Sequence, residues 1–152
     1  MSIGRVNISR RSDLALRTLM QLAVGQRYGD RMTAAAIASA INASPGHVGK
    51  IVARLVELET VVVRRGRGGG LQITDKGRRM PVGELLRELE GDAELVECDG
   101  PRPCPLASNC QLRRALARAR YAFFETLDDL TVQDAARPPA ERVHLPLPPL
   151  DA

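Results

Sequence analysis

The run Ser44-Pro-Gly-His-Val-Gly-Lys-Ile-Val-Ala-Arg-Leu-Val-Glu57 is the clearest structural signal in the chain. Ser44 is a favoured N-cap and Pro45 a favoured first helical residue, so a helix is predicted from Pro45 to about Glu59. Apolar residues recur every three or four positions and predict one buried stripe, made of Val48, Ile51, Val52, Leu55 and Val56. The opposite face carries the polar and basic residues His47, Lys50 and Arg54.

Two shorter helical patterns precede this run. Residues 11–27 suit a helix with one broad apolar face, and Ser12 and Asp13 lie at its predicted start. Thr33 is placed to cap a short Ala-rich helix over residues 34–40. A tight turn then leads to the basic helix. Two helices joined by a tight turn, the second with a buried stripe and a basic outer face, predict a helix-turn-helix.

A predicted β-hairpin follows directly. Thr60-Val-Val-Val-Arg-Arg65 is strand-like, Gly66-Arg-Gly-Gly-Gly70 is turn-like, and Leu71-Gln-Ile-Thr74 alternates as a returning strand. This order predicts the wing of a winged helix, with an arginine-rich tip suited to phosphates or a minor groove and formed by Arg64, Arg65 and Arg67. A plain solvated turn is the alternative. Without a following Gly-Lys-Ser/Thr or a βαβ pattern, nucleotide binding is not expected.

Charge is divided unevenly along the 152 residues. Residues 1–79 hold 14 Lys and Arg against 5 Asp and Glu, whereas residues 80–152 hold 8 against 13. A basic front half predicts a nucleic-acid-binding unit, with uneven decoration of the surface as the alternative, and the helix-turn-helix makes double-stranded DNA the expected partner. Two Tyr, two Phe and no Trp argue against a platform for single strands, because such platforms stack bases on aromatic rings. No long apolar run or secretory signal is visible, so a cytoplasmic protein without membrane contact is expected.

The second half predicts two more helices around a Pro/Gly-rich loop. The first spans Val82 to Glu90, and the second spans about Asn109 to Leu127 with a stripe that is suited to dimerisation, formed by Leu112, Ala115, Leu116, Ala119, Phe123 and Leu127. Packing of this stripe within its own chain is the alternative. A last helical turn is predicted at Thr131. We therefore expect a mainly α protein with a winged helix-turn-helix domain (1–80), a loop and dimerisation unit (81–136) and a Pro-rich disordered tail (137–152).

All three cysteines lie in the predicted loop, at positions 98, 104 and 110. No CxxC pair is present, and the only histidines are His47 and His144, so a zinc site fits poorly. A disulfide would need an oxidising compartment, and a thiol redox switch does not require three evenly spaced cysteines. Soft thiolates in a loop stiffened by prolines favour an iron–sulfur cluster. Three cysteines leave a fourth iron that needs another ligand.

The order of helix-turn-helix, Arg/Gly-rich wing, C-x5-C-x5-C loop and long helix resembles the Rrf-type family of iron–sulfur transcription regulators. The resemblance covers roughly residues 8–135. Four stretches are most similar to the nitric-oxide-sensing repressors of this family in actinobacteria: residues 12–17, 64–71, 86–91 and 104–106.

The resemblance implies a homodimer in which each subunit holds a 4Fe–4S cluster through Cys98, Cys104 and Cys110. It further implies that the fourth ligand is Asp13 of the other subunit, although Asp13 is also suited to a plain role at the helix start. Relatives that hold a 2Fe–2S cluster use a histidine three residues after the third cysteine. Arg113 stands at that position here, so a 2Fe–2S cluster fits less well.

The function that we expect is a transcriptional repressor that senses nitric oxide through this cluster and then releases a pseudo-palindromic operator. A regulator of the same fold that senses iron, cluster supply or redox state is the alternative. A cluster carrier would not need a basic recognition helix, and no pairing of nucleophile and base indicates an enzyme. The predicted DNA contacts are Ser12, Thr33, Ser44, His47, Lys50, Arg54, Arg64, Arg65 and Arg67.

Overall fold

The helices and strands follow the predicted order closely. The computed structural model describes residues 8–29, 32–91 and 94–137. The elements are α1 (Arg10–Arg27), α2 (Ala34–Ala40), α3 (Pro45–Glu57), β1 (Val61–Arg64), β2 (Gly70–Ile73), α4 (Asp75–Arg79), α5 (Val82–Glu90), α6 (Gln111–Thr126) and α7 (Val132–Ala135). The mainly helical winged-helix fold is therefore confirmed. Within the described residues, α4 is the one α-helix that the sequence patterns did not predict.

Hydroxyl caps fix the starts of most helices. Ser44 Oγ accepts a hydrogen bond from His47 N, and Thr33 Oγ1 accepts one from Ala36 N, as predicted for α3 and α2. The start of α1 was predicted at about Arg11, one residue after the observed start. Ser9 is the N-cap and accepts from Ser12 N, so the helix begins at Arg10.

The wing is a two-stranded antiparallel hairpin. Val61 pairs with Ile73, and Arg64 pairs with Gly70. Val61, Leu71 and Ile73 point into the core, which anchors the base of the hairpin. The tip beyond Arg64 is exposed, apart from the backbone around Gly69.

One hydrophobic core joins the two halves of the chain. It combines Leu19 and Leu22 of α1 and Leu55 of α3 with Leu85 of α5 and Val132 of α7. This core crosses the boundary predicted between residues 80 and 81, so the DNA-reading half and the cysteine half are packed together. A smaller cluster consists of Val82, Leu86 and Phe124.

Four of the six apolar positions predicted for the α6 stripe are exposed in the described part of the chain, while Leu116 is half-buried and Leu127 packs against the Phe124 cluster. Leu112 is 64% exposed and Phe123 is 49% exposed. Ala115 and Ala119 are exposed as well, and only Phe124 of this helix is buried. A stripe of this kind on a helix of 16 residues is available to a partner.

No helix within the described ranges is long and apolar enough to cross a membrane. The predicted tail and His144 lie outside the described residues, apart from Arg137.

Candidate DNA-reading face and cysteine loop

A basic groove lies between the start of α1 and the outer face of α3. It has a volume of about 440 Å³, and its lining includes the side chains of Arg10, Arg11, His47, Lys50 and Arg54. His47 and Lys50 are exposed. Arg54 is paired with Glu57 of the same helix at 3.0 Å, so its guanidinium must turn away from that carboxylate to reach a phosphate.

Arg10 and Arg11 are additions that the sequence patterns did not supply. Both precede the apolar periodicity of α1, and only the packing of α1 against α3 brings them beside Lys50. The one feature of the sequence that could have indicated them is that two arginines stand side by side at a helix start.

Ser12 is not part of this face. Its side chain is fully buried, and its hydroxyl is hydrogen-bonded to Ser9 Oγ at 3.1 Å. This burial counts against the predicted contact between phosphate and the backbone near Ser12, and the exposed residues at this helix start are Arg10 and Arg11.

The wing tip presents three exposed arginines, Arg64, Arg65 and Arg67. None of them has a carboxylate partner among the described residues. Gly66 and Gly68 adopt φ values of 96° and 79°, which favour glycine. Gly69 N donates to Gly66 O at 2.9 Å, and this hydrogen bond closes the turn that carries Arg67.

Cys98 and Cys104 lie on a loop segment that a backbone hydrogen bond closes, and Cys110 lies at the start of α6. Cys104 N donates to the carbonyl oxygen of Cys98 at 2.9 Å. Cys110 is the N-cap of α6, and its Sγ accepts from Arg113 N at 3.4 Å. The positive end of a helix stabilises a thiolate, so the position of Cys110 suits a metal ligand.

All three cysteines are free thiols. Cys98 is buried, and this burial raises the pKa of its thiol, whereas the charge of Arg113 acts to lower it. Within the part of the chain that the structure describes, no three Cys, His, Asp or Glu side chains converge closely enough to hold a single metal ion. The donor chemistry of the loop, three soft thiolates without histidine, suits an iron–sulfur cluster.

Arg113 occupies the position at which a histidine would be needed for the 2Fe–2S arrangement. Its Nε lies 2.9 Å from Glu94 Oε2, and its Nη2 lies 2.5 Å from Asp99 Oδ2. These carboxylates raise the pKa of Arg113 above its already high value, so its guanidinium stays a cation that donates to Glu94 and Asp99.

Asp13 lies in the first turn of α1. Its Oδ1 accepts from Arg17 Nε at 2.7 Å, and its side chain is 39% exposed. An exposed pair of this type contributes about 0–1 kcal/mol, so Asp13 can exchange Arg17 for another cationic partner at small cost.

The segment before the loop is tied to both neighbouring helices. Arg120 of α6 donates to the carbonyl of Gly91, and Arg11 of α1 donates to the carbonyl of Leu89. Arg87 and Asp128 join α5 to the end of α6, with Nη1 and Oδ1 3.0 Å apart. The approach to the loop is thus fixed relative to the DNA-reading groove.

These features define a winged-helix DNA-binding regulator. The Rrf2 family, described as an iron-dependent transcriptional regulator, matches residues 8–138. The chain belongs to the Rrf2 family of transcription regulators, and it is not an enzyme.

Among curated relatives, the chain is 46% identical to the HTH-type transcriptional repressor NsrR of Streptomyces coelicolor over 142 residues. The match covers 93% of this chain and 96% of that protein. The HTH-type transcriptional regulator NsrR of Oceanobacillus iheyensis is 32% identical and is matched over 85% of this chain and 88% of its own length.

Among solved structures, the global cysteine regulator CymR of B. subtilis superposes with a TM-score of 0.66 at 26% identity. The superposition covers 87% of this chain and 97% of that one. It confirms the arrangement of helices and wing.

Proposed function

We propose that the chain is a homodimeric repressor that senses nitric oxide through a 4Fe–4S cluster and then releases its operator. The observation that carries the proposal is a loop with three free cysteines following a winged helix, in a chain 46% identical to the repressor NsrR of Streptomyces coelicolor. The cytoplasm, with its reduced thiols and its DNA, is the compartment that suits this role.

The homodimer is supported by the uncovered stripe on α6. Leu112 and Phe123 together with Ala115 and Ala119 form an exposed apolar surface along one face of the helix. Self-association through this face would place the winged-helix units of the two chains side by side. A dimer of winged helices reads two half-sites about one helical turn of DNA apart, so the operator would be pseudo-palindromic.

DNA contact would use α3 and the wing. His47, Lys50 and Arg54 face the major groove, and the exposed N-termini of α2 and α3, at Thr33 and Ser44, are placed for backbone contacts to phosphate. The wing would contact the minor groove through its exposed arginines, Arg64, Arg65 and Arg67. Arg10 and Arg11 extend the same basic surface.

Cys98, Cys104 and Cys110 would hold the cluster in one chain, and Asp13 of the partner chain would complete its ligand set. When bound, a 4Fe–4S cluster supplies an iron that nitric oxide can attack at the position lacking a thiolate. Asp13 lies on α1, which packs directly against α3. A ligand change at Asp13 would therefore act on the recognition helix.

The required change in DNA affinity is of reasonable size. To move operator occupancy from 99:1 to 1:99 takes about 5.5 kcal/mol of differential binding. Loss of one ligand between subunits in each of two sites, together with damage to the cluster, would have to supply this difference.

The proposal is tested by purifying the chain without oxygen and measuring iron, sulfide and absorbance alongside operator binding. We expect iron and sulfide in the proportion of a 4Fe–4S cluster and operator binding by the loaded dimer. Cys104→Ser should lose the colour and keep the fold. A colourless wild-type chain would refute the proposal, and a 2Fe–2S spectrum would refute the cluster type.

The role of Asp13 between subunits has its own test. Mixed dimers of an Asp13→Ala chain and a Cys104→Ser chain contain one site with all cysteines and with Asp13 across the interface. We expect that single site to show the wild-type spectrum and nitric oxide response, whereas the Asp13→Ala homodimer shows an altered spectrum or response. If the mixed dimer and the Asp13→Ala homodimer behave alike, Asp13 is not a ligand from the partner.

A further inference from the structure

Arg113 contacts the chain on both sides of Cys98. Its Nη2 lies 2.7 Å from Glu94 Oε1, and its Nε lies 2.9 Å from Glu94 Oε2. The same Nη2 lies 2.5 Å from Asp99 Oδ2. Glu94 precedes Cys98 by four residues and Asp99 follows it directly, so one guanidinium spans the segment that carries this thiol. We call these contacts the Arg113 bridge.

The backbone of Arg113 reaches the third cysteine. Its N–H donates to Cys110 Sγ at 3.4 Å within the first turn of α6. Cys104 is held to Cys98 by the backbone hydrogen bond of 2.9 Å between its N–H and the Cys98 carbonyl. One residue therefore connects the thiol at the helix start with the segment that contains the other two.

The bridge differs from an ordinary surface ion pair. The Arg113 side chain is only 25% exposed, and it meets Glu94 with both Nε and Nη2. A planar guanidinium that engages two carboxylates at once is both stronger and more restrictive than a single exposed pair. A lysine at this position could supply the positive charge but not the two donor nitrogens held in one plane.

We propose that Arg113 is a positioning residue for the cluster: it holds Cys98 and Cys110 in a ligand-ready arrangement without becoming a ligand itself. This role rests on the function proposed above, because it requires that the three thiols bind a cluster. It also goes beyond that function. The ordered conformation of the loop would depend on the Arg113 bridge within one chain and not on the partner's Asp13. Groups beyond the ligands that orient them typically change metal affinity by about 10–100-fold when removed.

The test compares Arg113→Ala and Arg113→Lys with Arg114→Ala. Arg114 is the adjacent exposed arginine, and within the described ranges its side chain makes no hydrogen bond or ion pair, so its removal matches the charge change without touching the bridge. Hydrogen exchange of the metal-free chains reports on residues 94–104. Anaerobic cluster loss in excess EDTA, followed by absorbance, reports on ligand positioning.

We expect faster exchange in residues 94–104 of Arg113→Ala and cluster loss accelerated by about 10–100-fold. Arg113→Lys should fall between Arg113→Ala and the wild type, and Arg114→Ala should match the wild type. If the Arg113→Ala and Arg114→Ala chains showed equal rates of hydrogen exchange and equal rates of cluster loss, the proposal would be overturned. Faster exchange with unchanged cluster loss would overturn it too, because the bridge would then order the loop without serving the cluster.

The two proposals fail in different ways. A wild-type chain that takes up no cluster refutes the proposed function, and with it this role of Arg113, even where the exchange rates of the variants differ. A wild-type chain that binds its cluster and retains it equally well as Arg113→Ala refutes only the positioning role.

Discussion

Removal of Arg67 from the wing tip should weaken operator binding in a salt-dependent way. Arg67 is exposed between two glycines at positive φ, on a turn closed by the hydrogen bond from Gly69 N to Gly66 O. The turn is held by its glycines and not by the arginine, so Arg67→Ala should leave the fold intact. The change therefore isolates the charge at the tip.

The magnitude follows from the number of wings. Each cation that neutralises a phosphate contributes about 0.9 to the slope of log affinity against log salt. A dimer presents two wings, so Arg67→Ala should reduce the steepness of the slope by about 1.8. At about 0.1 M salt this corresponds to roughly 60-fold weaker binding, or about 2.4 kcal/mol.

Fluorescence anisotropy with operator DNA, repeated from about 0.05 to 0.2 M salt, gives both quantities. Arg118→Ala is the matched control, because Arg118 is an exposed arginine on α6, away from the wing and α3. We expect its slope and affinity to equal those of the wild type. An unchanged slope for Arg67→Ala, or an equal loss for Arg118→Ala, would refute the assignment of the wing to DNA.

Thr18→Val should raise the free energy of unfolding by about 1 kcal/mol in urea titrations, because Thr18 Oγ1 is buried without a partner among the described residues; a destabilised variant would contradict this. Arg87 holds the pKa of Asp128 below its ordinary 3.8, so the pair stabilises the fold above that pH. Asp128→Asn should lower the thermal midpoint at neutral pH, with a difference that shrinks as the pH falls below about 3.8 and the wild type loses the pair; a difference independent of pH would count against it. Phe123, 49% exposed, lies on the proposed dimer face, so Phe123→Lys should give a monomer in analytical ultracentrifugation where the wild type gives a dimer; a variant that stays dimeric would exclude α6 as the interface.

Local patterns predicted those elements whose signals lie within a few residues. Ser44 and Pro45 gave the start of α3, the glycines gave the wing turn, and the leucine spacing gave α5 with its bounds of Val82 and Glu90. The stripe of α3 was correct at four positions and wrong at Val56, which is 38% exposed. Val56 lies at the edge of the stripe, where periodicity alone does not separate buried from exposed positions.

Contacts between distant segments could not be read from the sequence. Arg113 pairs with Glu94 and Asp99 across 19 and 14 residues, and Arg87 pairs with Asp128 across 41. Each pair depends on how α5, the loop and α6 pack, and no local periodicity records this. The start of α1 was predicted one residue late, because Ser9 and Ser12 are both acceptable caps and only the hydrogen bond from Ser12 N to Ser9 Oγ identifies Ser9 as the cap.

The central claim is that the state of the cysteine loop controls DNA binding. It is tested most directly by titrating nitric oxide into the anaerobic, cluster-loaded dimer while absorbance and operator anisotropy are recorded on the same sample. We predict that the cluster absorbance and the operator-bound fraction fall together as nitric oxide is added. A chain that stays bound to its operator after its cluster absorbance has been lost would contradict the claim.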